Sequence, residues 1–139
     1  MSILMAKNHL IKNNLTCVIT DEKNIVYTSN ERGVAPLVIF ILKNLKGNFY
    51  LADKVIGKAA AYLCVKANIN HVFTTVISHT AIEILKQYNI SYEYDQVVTA
   101  IQNRTKDDNC PMEQLSVGVS DYNEMFDKVY SWLVERNLI

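Results

Sequence analysis

The chain has 139 residues, half of them apolar, and its fourteen basic and fourteen acidic side chains cancel. That length and apolar share suit one domain, residues 1–139, with a core of its own, and the neutral balance leaves no global field to gather duplex nucleic acid or an acidic membrane surface. The longest apolar run, Val34 to Leu42, covers nine residues and contains Pro36, far short of the ~20 needed to cross a bilayer.

Ile3, Leu4, Leu10 and Ile11 sit at near-helical spacing and predict a first amphipathic helix over residues 3–13. The stretch carries Lys7, His9 and Lys12 and has no small-residue cleavage site, so it does not read as a secretory signal and a cytoplasmic location is expected. Leu15 to Thr20 and Asn24 to Ser29 are β-rich runs joined by Asp21-Glu22-Lys23, a hairpin signal. Gly33 opens a helix to about Lys46, with Pro36 tolerated in its first turn and Gly47 at the place of a C-terminal cap. Phe49 to Ala52 reads as a short buried strand, and Asp53 is expected to end it and to cap a helix running to Asn68. His71 to Ile77 is a second β-branched strand, and strand, helix, strand in that order implies a parallel crossover. Thr80 and Glu83 stand at capping-box spacing before a helix ending near Tyr88, and Ile90, Tyr92 and Tyr94 alternate with polar residues as a half-buried strand. A polar stretch, Asn103 to Asn109, precedes Cys110-Pro111-Met112-Glu113, which has the form of a short helical turn. Ser120 is expected to cap a last amphipathic helix carrying Tyr122, Met125, Phe126, Val129, Trp132 and Leu133 on one side.

Such an order predicts a three-layer α/β/α sandwich with one mixed sheet. The layout resembles the cytidine-deaminase-like fold. Three segments, Glu31 to Leu37, Ala52 to Ala60 and Cys110 to Glu113, are similar to those of a family of small prokaryotic proteins known as a domain of unknown function. What this resemblance implies is a fold, without an activity.

Deaminases of that fold hold zinc through a His-x-Glu or Cys-x-Glu segment opening one helix and a Pro-Cys-x-x-Cys segment opening the next. By chain order these would fall near Arg32-Gly33-Val34 and between Asp53 and Gly57, where there is neither imidazole nor thiol. His9, His71 and His79 have no metal-ligand spacing to one another or to a cysteine. No metal or other cofactor is therefore expected, and zinc-dependent hydrolytic deamination is not. The helix starts still mark the crevice where a ligand would lie, because free N–H groups gather at strand carboxyl ends. Lys54 and Lys58, four apart on one expected helical face, would hold an anionic or nucleotide-like ligand. Gly57 would allow close approach, Asp53 would orient a hydroxyl, and Arg32, Asn103 and Arg104 would line the rim. The plainer reading makes Asp53 a helix cap, Gly57 a packing residue and both lysines solvated, and the sequence leaves the two open.

Cys110 and Asp53 are the candidates for a catalytic role in group transfer, although no histidine near Cys110 in sequence could serve it as a base. The three cysteines, Cys17, Cys64 and Cys110, are odd in number and far apart, which fits reduced thiols. Three readings follow: a binding protein for a small anionic or nucleotide-like ligand, an enzyme using Asp53 or Cys110, and a homo-oligomeric interaction module joined by a helix face or the Trp132 helix.

Overall fold

A computed structural model describes residues 2–31, 33–101 and 110–139. In chain order these form α1 (Ser2–Lys12), β1 (Cys17–Thr20), β2 (Ile25–Ser29), α2 (Ala35–Leu42), β3 (Phe49–Ile56), α3 (Lys58–Lys66), β4 (Ile69–Ser78), α4 (His79–Gln87), β5 (Ser91–Val98), α5 (Pro111–Leu115) and α6 (Tyr122–Glu135). The strands make one mixed sheet in the order β2-β1-β3-β4-β5. β1 runs antiparallel to both β2 and β3, while β3, β4 and β5 are parallel.

Alternation along the strands divides the apolar side chains between two clusters. Val18, Ala52 and Phe73 pack with Ala6 and Leu10 of α1. Cys17, Ile19, Leu51 and Val72 join the larger cluster, to which α2, α3, α4 and α6 contribute. Its centre is α3, buried from Ala59 to Cys64 and in contact with α2, α4, α5 and α6. The small side chains Ala59, Ala60 and Ala61 let this helix approach closely, and each larger aliphatic residue buried around it contributes about 2 kcal/mol.

Five of the six described helices end on one device. Asn14, Asn44, Asn68 and Asn89 lie just past α1, α2, α3 and α4, and Asn137 just past α6, all with φ between 52° and 62°. Asparagine adopts this left-handed conformation more readily than other residues with a side chain, and so ends each of these helices where glycine often stands.

The structure corrects several expected boundaries. β3 continues through Asp53, Lys54 and Val55 to Ile56, because β4 pairs with it throughout, so Asp53 is a strand residue and does not cap a helix. α3 begins only after Gly57, which places Lys54 in a strand and Lys58 in a helix; the shared helical face does not exist. Ser78, not Thr80, caps α4 through the Ala81 N–H, and Asp121, not Ser120, caps α6 through the Glu124 N–H. β5 is mostly exposed rather than half-buried.

Candidate functional site

β1 begins at Cys17, directly opposite Asp53. From that point β3 keeps its parallel neighbour β4 but has no antiparallel partner in β1 beyond the bond from the Lys54 N–H to the Thr16 carbonyl, at 3.2 Å. The space so opened is a cavity of about 480 Å³, within the size range of small-molecule sites. Thr16, Gly33, Val34, Asp53, Lys54 and Val55 wall one part of it, and Gly57, Ala59, Ala60, Ile101, Cys110, Met112 and Glu113 the rest. Most of the wall is apolar.

Asp53 stands on the pleat shared with Cys17, facing α3, and is only 9% exposed. Its Oδ1 accepts a long hydrogen bond from the Val55 N–H at 3.4 Å. Among the described residues no lysine, arginine or histidine forms an ion pair with it. Burial therefore pushes its carboxyl up to about 8, against the smaller opposing pull of the Val55 and Lys54 N–H groups. At neutral pH the group is mostly a neutral acid, able both to donate and to accept a hydrogen bond. The Cys17 and Cys64 thiols nearby are raised by burial and then by the Asp53 charge.

Glu113, also in the cavity wall, reaches from α5 to the start of α3. Its Oε1 accepts from the Lys58 N–H at 3.3 Å, and its Oε2 from the Ile101 N–H at 3.1 Å. Gly57, the N-cap, offers no side chain of its own, so a carboxylate far away in sequence caps the helix instead. The fit requires glycine. A Cβ at position 57 would lie 2.8 Å from Glu113 Oε1 and 2.9 Å from the Ile101 side chain.

Cys110 is the N-cap of α5 and half-buried at the cavity wall. Burial raises its thiol above the ordinary value, and the N–H groups of Glu113 and Met112 offset this only in part. A thiol held in its protonated form is a poor nucleophile. Its backbone N–H donates to the Ile101 carbonyl at 3.0 Å, which sets Ile101 and Cys110 side by side on the wall.

Of the residues expected at the site, Asp53, Lys54, Gly57 and Cys110 do line one cavity. Lys54 is occupied, its Nζ donating to Asn14 Oδ1 at 3.0 Å. Lys58 contributes its backbone N–H to Glu113, and its side chain is not in the wall. Arg32, Asn103 and Arg104 lie outside the described residues. Thr16 and Glu113 are additions; the Glu113 contact spans 55 positions, and no local pattern announces it. Among the described residues no group of three or more His, Cys, Asp or Glu could hold a metal ion.

The model of the TM1506 family, a domain of unknown function (DUF1893), matches residues 5–133. The chain belongs to this family. A DUF1893 family protein (TM1506) from Thermotoga maritima, known from a crystal structure, is 26% identical to it. The likeness covers 94% of this chain and 88% of that one, with a TM-score of 0.85. No curated protein matches. Within the DUF1893 frame, the segments that mark the resemblance in sequence include β3 with the start of α3, and the start of α5, both of which wall the cavity.

Proposed function

We propose that this DUF1893 protein binds a small nucleotide-like ligand, with its heterocyclic base in the cavity between β3, α3 and α5. The observation that carries the reading is the nine-tenths buried carboxyl of Asp53, held in a mostly apolar cavity of about 480 Å³ with no ion-pair partner among the described residues. Burying a carboxyl without a partner costs stability, and such groups collect at functional sites. A neutral carboxyl offers a donor beside an acceptor, the pattern that the edge of a nucleobase complements. Thr16, Val34 and Met112 supply walls against which a flat ring can pack.

The arrangement of helices about a mixed sheet fits a three-layer, cytidine-deaminase-like layout, in which a base-binding crevice at these strand ends is expected. The zinc chemistry of that fold does not carry over, since the starts of α2 and α3 present Val34-Ala35-Pro36 and Gly57-Lys58-Ala59, none of which is a zinc ligand. Binding is favoured over group transfer because Asp53 and Cys110, the two candidate nucleophiles, are both held towards their protonated forms. We place the protein in the cytoplasm, on its reduced thiols.

A thermal-melt screen against nucleobases, nucleosides, nucleotides and ADP-ribose tests the reading. A ligand at a hundred times its dissociation constant adds about 2.7 kcal/mol, a shift of several degrees for a chain of this size. The ligand-induced shift should be lost in Asp53→Ala. Absence of any shift, or one undiminished in that variant, would refute the proposal.

A further inference from the structure

A cavity at the start of a helix ordinarily favours anions, because unpaired N–H groups and the helix dipole point into it. Here that position is taken from within. The two Glu113 oxygens accept the N–H groups of Lys58 and Ile101, at 3.3 and 3.1 Å. Gly57 leaves just enough room for the carboxylate to sit against the backbone. Lys54, the one lysine among the described residues of the cavity wall, is engaged by Asn14 at 3.0 Å. The same cavity is lined by a second carboxyl, Asp53, 9% exposed and without an ion-pair partner among the described residues.

We propose that Glu113 decides the charge class of the ligand: its carboxylate occupies the donors that a phosphate or carboxylate group would need, and so selects neutral ligands over their phosphorylated forms. This rests on the reading of the cavity as a binding site for a nucleotide-like molecule and narrows it to the uncharged member, a nucleoside or free base. An entering anion would have to displace Glu113, give up two charge-assisted hydrogen bonds and face the displaced carboxylate in a poorly solvated space. A neutral ring leaves the cap in place and can pack on the apolar part of the wall with its polar edge toward Asp53. The residue lies on α5, whose Met112 and Leu115 pack against the core and hold the Glu113 carboxylate beside the start of α3. Glu113 is thus a specificity residue whose own hydrogen bonds perform the selection.

The test compares the unmodified protein with Glu113→Gln and Glu113→Ala by titration calorimetry at low salt. The probes are cytidine and adenosine, their 5′-monophosphates, and inorganic phosphate. In the unmodified protein the nucleoside should bind more tightly than its monophosphate, and inorganic phosphate should not bind measurably. In both variants phosphate and the monophosphates should gain about tenfold or more in affinity, since a hydrogen bond to a charged group is worth at least that factor. The nucleosides should change much less. Glu113→Gln retains the size of the side chain, so it carries the comparison if the loss of the cap in Glu113→Ala prevents folding. Equal phosphate affinity in the unmodified protein and Glu113→Gln, or an unchanged preference between nucleoside and monophosphate, would overturn the inference. Failure of every nucleoside to bind would refute the proposed function instead, while the inorganic phosphate titration would still report on Glu113.

Discussion

Asp53→Asn removes the ionisable group while preserving its shape and its ability to accept from the Val55 N–H. In the unfolded chain the carboxyl titrates near its ordinary value of 3.8, and in the folded protein at about 8. Below the lower value both states hold the proton, and the stability associated with the group is fully present. As pH rises through this window the unfolded state releases its proton and the folded state does not, so stability falls by about 1.4 kcal/mol per pH unit. At pH 7 the accumulated cost is about 4 kcal/mol, and above pH 8 it levels off. The asparagine variant carries no such cost. It should equal the unmodified protein near pH 4 and exceed it by up to about 4 kcal/mol at pH 7, a rise in melting temperature on the order of 10 °C. Urea unfolding of both proteins between pH 4 and 8.5 measures the difference, in which exposed groups such as Asp21, whose own pKa is lowered by the Lys23 and Asn24 N–H groups, cancel. A difference that stays flat across the range, or a variant less stable at pH 8, would refute the assignment of Asp53 as a buried neutral acid. Gain of stability on removing a polar group is the pattern of a residue kept for function.

Gly57→Ala sets a Cβ against Glu113 Oε1 and the Ile101 side chain, and should destabilise the protein by about 1–3 kcal/mol in urea. Part of that loss should disappear in a Glu113→Ala background, as a double-mutant cycle would register. Cys110, with its thiol raised by burial, should react with iodoacetamide at pH 7.5 more slowly than a cysteine peptide, and Cys17 and Cys64, both buried, only on unfolding. A fast Cys110 would restore the group-transfer reading. Asn89, at φ 58° past the end of α4, should lose about 1 kcal/mol as Asn89→Ala and almost nothing as Asn89→Gly, measured by thermal melting.

Local patterns in the chain account for much of the framework. The spacing of Ile3, Leu4, Leu10 and Ile11 announces α1, although its core-facing side is Ile3, Ala6 and Leu10, with Leu4 and Ile11 exposed; the β-branched runs announce β1, β2 and β4, and three segments identify the family. These features rest on short-range periodicity, which a sequence displays directly. Asp53, Lys54, Gly57 and Cys110 also stand out in sequence, because strand ends and helix starts are where ligand sites tend to form, and the four do line one cavity.

The roles of those residues depended on tertiary structure. An aspartate disfavours strands, and in isolation Asp53 reads as a stop signal and a cap. Pairing of β3 with β4 as far as Ile56 overrides that preference, moves the helix start to Gly57 and parts Lys54 from Lys58. The same placement buries the Asp53 carboxyl and raises its pKa, an effect of surroundings that no spacing in the chain encodes. Glu113 is the clearest instance: its partners, Lys58 and Ile101, lie 55 and 12 positions away. Only the packing of α5 against α3 turns an ordinary glutamate into the cap of another helix. Periodicity reports which face of an element is buried, whereas the charge state and partners of a polar group depend on what the folded chain brings beside it.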